Sequence, residues 1–208
     1  MKKTFFGMIA CFMIFTITSS LPAMGGTRKG FVLGFNVGGG LTSYTTTEFR
    51  VNFFDYPPYF SDEYVESRKS SMAFATDLKI GYGVTDQFLI YYANNVMWFG
   101  FKDPDWSESQ FTIAGATKVG MSYFFKPEAP SFFTSAGIGL SVWSPLIATG
   151  YSDESWLGLA LSAGFGYEFS PHWAIELSAI WGIGGTDEDD DSGKNPLSVM
   201  FTIGYTLY

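Results

Sequence analysis

The chain has 208 residues, of which 47% are hydrophobic and 19% aromatic but only 15% charged, against roughly 25% charged in a typical soluble domain. This excludes a disordered polypeptide, and a net charge of −8 from 12 Lys+Arg against 20 Asp+Glu leaves no basic surface to neutralise phosphates, so nucleic acid is not an expected partner. With 24 Gly, 22 Phe and 12 Tyr, the length suits one β domain, or at most two small ones, better than a packed helical core.

Residues 1–25 read as a secretory signal: Lys2 and Lys3 precede an apolar stretch from Phe5 to Ile17 that is short for a membrane span, and Ala23-Met24-Gly25 offers a small-x-small exit. The mature domain is then 26–208. Cys11, the only cysteine, lies in the signal, so neither disulfides nor a thiol nucleophile are expected in the mature chain. Beyond the signal no segment reaches the ~18 uninterrupted apolar residues of a spanning helix. The best candidate, Phe88 to Phe101, is interrupted by Asn94 and Asn95.

The mature chain instead repeats a period-2 pattern in which large apolar residues alternate with small or polar ones, as strands require. The first stretch sets Phe31, Leu33, Phe35, Val37 and Leu41 against Gly34, Asn36, Gly38, Gly40 and Thr42. The second sets Phe74, Leu78, Ile80 and Tyr82 against Ala73, Ala75, Asp77, Lys79 and Gly81. The third, about Phe88 to Phe99, is apolar on both faces and leaves its sides unassigned. The fourth opposes Phe111, Ile113, Val119, Met121, Tyr123 and Phe125 to Thr112, Ala114, Ala116, Lys118, Gly120 and Ser122. The fifth has Phe132, Ile138, Leu140 and Val142 against Ser135, Gly137, Gly139 and Ser141. In the sixth, Leu157 through Phe169 alternate with Gly158, Ala160, Ser162, Gly164, Gly166 and Glu168. The seventh places Trp173, Ile175, Leu177, Ala179 and Trp181 opposite Ala174, Glu176, Ser178 and Gly182, and the eighth pairs Val199, Phe201, Ile203, Tyr205 and Leu207 with Met200, Thr202, Gly204, Thr206 and Tyr208.

Connections alternate as well. Gly83 to Gln87, Lys126 to Ser131 and Ser170 to His172 are short and rich in turn formers, whereas Thr45 to Ser70, Gly100 to Ser109, Ser144 to Ser155 and Gly182 to Asn195 are longer and more polar. Eight up-and-down strands put all short turns at one end and all long loops at the other.

Two facings compete. A soluble lipocalin-like barrel turns its apolar face inward, and a membrane barrel turns it outward. In the seven assignable stretches the apolar face carries no charge, while Asp77, Lys79, Lys118, Glu168 and Glu176 sit on the small face. That face is mostly Gly, Ala, Ser and Thr, unlike the Lys- and Glu-rich surfaces of soluble proteins. Tyr82, Tyr123, Phe125, Trp156, Phe169, Trp173 and Trp181 gather near strand ends, as interfacial girdles do. The pattern predicts an all-β, eight-stranded antiparallel transmembrane barrel with the five charges in its lumen. Similar distances from the short turns pair Asp77 with Lys118 and Lys79 with Glu176, either as a plugging network or as separately hydrated ions.

The Gly-rich first strand, Phe31-Val-Leu-Gly-Phe-Asn-Val-Gly-Gly-Gly40, and a last strand ending in aromatic Tyr208 resemble the small outer-membrane barrels that include the OmpA membrane domain, OmpX and OmpW. The resemblance implies an exported protein in the bacterial outer membrane, in contact with lipid and lipopolysaccharide, with long loops outside and Tyr208 as a terminal signal for the assembly machinery. Tyr208 departs from the family habit, because Ile203, Tyr205 and Leu207 have the opposite parity. The peptidoglycan-binding half of OmpA-type proteins does not follow Tyr208, so no cell-wall anchor is expected.

Without the signal, ten basic and twenty acidic residues remain, and the four long connections carry net charges of −2, −2, −2 and −4, the whole excess. These acidic ends fit either divalent-cation bridging to lipopolysaccharide or simple solvation. The run Asp187 to Gly193 lacks the Gly and Glu of a calcium-binding loop at its sixth and twelfth positions, where Ser192 and Ser198 stand. The only histidine, His172, lies in a short turn, far from the outer rim where an acyl hydrolase of this shape would need it, so no enzymatic chemistry and no cofactor are expected. The aromatic segment Phe53 to Phe60 reads as a lid over the mouth or a contact surface. The expected role is envelope support or presentation of surface loops. An OmpW-like passage for small hydrophobic molecules and an exported soluble ligand-binding barrel are the alternatives.

Overall fold

The computed structural model describes residues 27–53, 60–102, 109–145, 156–183 and 196–208, with side chains over 27–45, 68–100, 111–144, 157–183 and 196–208. The signal segment 1–25, most of the Phe53 to Phe60 aromatic run, the acidic run at 187–193 and the Trp156 side chain lie outside the described residues.

Eight strands close into one antiparallel barrel in chain order: β1 (Gly30–Phe53), β2 (Phe60–Gly83), β3 (Phe88–Lys102), β4 (Ser109–Phe124), β5 (Ser131–Pro145), β6 (Trp156–Ser170), β7 (Trp173–Ile183) and β8 (Leu197–Leu207). β1 closes the ring by pairing β8 from Leu33↔Leu207 to Ser43↔Leu197. Closure satisfies the backbone all round, which removes the exposed edges of an open sheet. The short connections are tight. In the β2–β3 turn, Val84 N donates to Phe88 O at 2.9 Å, and the Thr85 hydroxyl accepts from Gln87 N and Phe88 N. In the β6–β7 turn, His172 takes a left-handed φ of 74°.

The facing is inside-out. Phe165 is 50% exposed and Leu161 37%, and the apolar faces of the other strands point outward with them, the reverse of what a lipocalin-like core demands. β3, whose sides its sequence leaves open, buries Leu89, Tyr91, Ala93, Asn95, Met97 and Phe99 and turns Ile90, Tyr92, Asn94, Val96 and Trp98 outward. Glycine clears the crowded interior. A Cβ on Gly38 would overlap the carbonyl of Phe201, and one on Gly204 the amide of Asn36.

The segment from Thr45 to Ser70, read above as a loop, is largely strand. β1 and β2 are 24 residues each and pair from Gly30↔Gly83 to Phe53↔Phe60. Pairing of β1 with β8 ends at Ser43 and of β2 with β3 at Phe74, so the outer part of the hairpin pairs only with itself, over roughly 30 Å at ~3.3 Å per residue. The reason is physical. Alternating apolarity reports a face buried in an apolar medium, whereas Thr45-Thr46-Thr47, Phe49, Val51 and Phe53 need only β-propensity to extend a two-stranded ribbon beyond the ring.

Neighbouring glycines on β1 test the facing. Gly38→Ala is expected to lower the urea unfolding stability of the refolded barrel by about 1–3 kcal/mol through overpacking. Gly39→Ala, whose Cβ would point outward and meet nothing nearer than Ala73 O at 3.6 Å, should leave it nearly unchanged.

Candidate functional site

The inward side chains fill the lumen in three tiers. At the short-turn end Arg28, only 1% exposed, enters the barrel just ahead of β1. Its guanidinium grips the Glu168 carboxylate from β6 through both Nε, at 2.9 Å, and Nη2. Nη1 donates to the carbonyls of Asp86 at 2.8 Å, Lys126 at 2.9 Å and Pro127 at 2.8 Å, and the group lies 4.0 Å over the Phe124 ring. One planar fork thereby ties two turns to a strand, a geometry that lysine cannot reproduce. The Tyr208 hydroxyl donates to the other Glu168 oxygen at 2.5 Å. Burial, with that carboxylate beside it, holds the phenol well above its ordinary range, so it keeps the proton it donates.

The middle tier contains the other charges. Lys79 Nζ donates to Glu176 Oε2 at 2.6 Å and stands 3.3 Å from Asp77 Oδ2. Asn36 Nδ2 donates to the same Asp77 oxygen at 2.6 Å, and Ser135 Oγ to Glu176 Oε1 at 2.6 Å. Lys79 also lies 5.4 Å over the Tyr91 ring. Asp77 therefore pairs with Lys79 on its own strand. Lys118 donates to Ser162 Oγ at 2.8 Å, so the structure brings Lys79 to Glu176 but does not join Asp77 to Lys118. Glu168 belongs to the tier below. Asp77 Oδ1 and Asn95 Oδ1 are buried here without a protein partner.

The upper tier, toward the long connections, is built mainly of apolar groups, with the buried Thr42 and Ser198 hydroxyls 2.9 Å apart beside them. Tyr44, Phe99 and Trp143 pack with ring centroids 4.8 to 6.1 Å apart, backed by Met97, Met200 and Ile180. A second apolar cluster, including Leu89, Phe124 and Phe133, surrounds the lower tier.

The remaining sequence candidates fall as follows. Tyr82, Tyr123, Phe125, Phe169 and Trp173 project outward at the short-turn end, and Trp181 projects outward toward the other. Tyr208 points inward, as its parity requires, instead of joining the outward aromatics. His172 Nδ1 lies 2.9 Å from Thr206 O, and its ring packs by Tyr205 and Tyr208. Among the described residues no group of three or more His, Cys, Asp or Glu is placed to hold a metal ion. Sequence reading missed Arg28, which looks like a solvated charge after a leader. It also passed over Tyr91, hidden in the two-sided third stretch. Asn36 was visible as the polar amide on the small face of β1.

A family profile described as a domain of unknown function, DUF2715, matches residues 15–207. The chain belongs to the DUF2715 family. Among solved structures, this DUF2715 barrel is similar to Ail, the attachment invasion locus protein of Yersinia pestis, with 13% identity and a TM-score of 0.51 over 86% of this chain and 99% of Ail. Neisserial surface protein A is similar at 12% identity and a TM-score of 0.51, over 85% of this chain and 97% of that one. No curated protein sequence matches the chain. At these identities the likeness establishes the fold, that of the small eight-stranded outer-membrane barrels.

Removing one member of a buried pair leaves a stranded charge, which costs about 3–5 kcal/mol. Arg28→Met and Lys79→Met are each expected to destabilise the refolded barrel by that order in denaturant titration. Lys118→Met, which breaks a hydrogen bond to a neutral hydroxyl, should cost clearly less.

Proposed function

We propose that this chain is an integral barrel of a bacterial outer membrane whose lumen is plugged, and whose work is to hold the β1–β2 hairpin and the other long connections at the cell surface, in support of the envelope and without enzymatic chemistry. The observation that carries this reading is the filled lumen. Side chains from facing walls meet across the interior at every level, from the Arg28–Glu168 pair through Lys79–Glu176 to the Tyr44–Phe99–Trp143 cluster. Lys79 on β2 reaches Glu176 on β7, so the ion pair spans the bore and does not line one wall. A solute would have to break it.

Membrane residence is supported by the outward face. Charges on lipid-facing positions cost roughly 2–4 kcal/mol for Lys or Arg at the midplane, and Asp77, Lys79, Lys118, Glu168 and Glu176 all lie inside. The outward Tyr82, Tyr123, Phe125, Phe169 and Trp173 lie at the short-turn end, where interfacial anchors are expected, and support this reading. A barrel so plugged is a rigid mount, and the length of β1 and β2 beyond the other strands gives it something to present.

A second reading is favoured by the upper tier, where aromatic rings and methionines form an apolar interior that could receive small hydrophobic molecules. The closed β1–β8 seam offers such a molecule no lateral exit in this conformation.

Planar-bilayer recording separates the two. The plugged barrel is expected to show no steady, high conductance, with Lys79→Ala raising conductance several-fold by opening the middle tier. Vesicles containing it should take up a small apolar dye no faster than protein-free vesicles. Steady conductance of the unaltered protein would overturn the plug, and accelerated dye uptake would favour passage.

A further inference from the structure

The outward face is not uniform. The described outward positions of β6, β7 and β8 are aliphatic, aromatic or alanine throughout. The opposite wall has a polar patch in its middle: Asn94 on β3 lies directly across from Thr117 on β4, and the adjoining row places Thr76, Val96 and Gly115 side by side. Thr76 is accounted for, since its hydroxyl accepts from Trp98 Nε1 at 2.9 Å. Among the described residues neither Asn94 nor Thr117 has a side-chain hydrogen bond.

Depth makes this costly. Asn94 is six residues beyond Phe88, where β3 leaves its turn, about 15 Å along the axis at a ~3.3 Å rise and a ~40° tilt. That is near the centre of an apolar band about 25 Å tall. A carboxamide there carries two donors and an acceptor oxygen that hydrocarbon cannot satisfy.

We propose that the patch centred on Asn94 is a self-association surface, occupied in the membrane by the same patch of a second copy of this chain. This rests on the membrane reading above. Three observations select that occupant. Copies inserted with one orientation can be related only by an axis along the membrane normal, and a two-fold axis brings residues of equal depth together. A carboxamide is both donor and acceptor, so Asn94 at one depth complements itself. Gly115 and Thr117 beside it are small enough for two walls to approach closely, as polar and small residues do where membrane segments associate.

The test is disulfide trapping of the full chain in bacterial outer membranes, in a Cys11→Ser background that leaves one introduced thiol. Val96→Cys, two residues from Asn94 on the same face, is expected to give a disulfide-linked homodimer as its main oxidised product. Ala179→Cys, at the corresponding height on β7, should give less than about a fifth of that yield. Adding Asn94→Leu to Val96→Cys, a change that makes the surface more apolar and leaves folding intact, should cut the dimer at least fivefold. Asn94→Gln should retain most of it. Equal trapping at both walls, no trapping, linkage of Val96→Cys to a different protein, or indifference to Asn94→Leu would overturn the proposal. Carbonate extraction of the same membranes keeps the two claims apart. A chain released by carbonate would overturn the membrane reading and the dimer with it, whereas a retained monomer would overturn the dimer alone.

Discussion

Closing eight strands into a narrow ring satisfies the backbone ladder around that ring, but it leaves a bore only a few side chains wide. Whatever charge enters that bore must find its counter-charge across it or lie stranded in a region with little room for water. The rest of the molecule follows from this constraint. Glycine, alanine and serine occupy most inward positions because larger residues would collide with inward neighbours, as the overlap of a Gly204 Cβ with Asn36 on the adjoining strand illustrates. The few large inward groups then interlock, and Lys79 reaches Glu176 over two walls that are remote in sequence.

Arg28 extends the same logic to the two ends of the barrel. It precedes β1, yet it binds turn carbonyls of Asp86, Lys126 and Pro127 and the Glu168 carboxylate that also holds Tyr208. The two ends of the barrel sequence are thus tied together through one acidic residue at the short-turn end. The inward turn of Tyr208 has its cause here. An outward position would give up a buried hydrogen bond and the packing against His172.

Much of this was legible in the residues. Alternation located all eight strands, and the charge-free apolar faces settled the facing, because lipid and water impose opposite rules on period-2 patterns. Three things were not legible, each for a definite reason. β3 alternates large apolar residues with other large apolar residues, since Tyr91, Met97 and Phe99 point into the bore while Ile90, Tyr92 and Trp98 face outward, and no pattern distinguishes those positions. The outer half of the β1–β2 hairpin pairs only with itself and carries no sustained apolar alternation, so in sequence it resembles a loop. Ion pairing depends on stagger between strands, which estimated distances from turns do not supply. Lys79 and Glu176 happened to match, whereas Asp77 sits by Lys79 and Lys118 by Ser162.

Tryptophan fluorescence in vesicles of brominated acyl chains tests directly whether the inside-out barrel presents its apolar face to lipid. Trp181 projects outward, 51% exposed, while Trp143 packs inward between Tyr44 and Phe99 at 9%. In single-tryptophan variants of the vesicle-inserted protein, Trp181 should be strongly quenched and Trp143 little affected. Protection of Trp181 together with quenching of Trp143 would contradict an outward apolar face in contact with lipid.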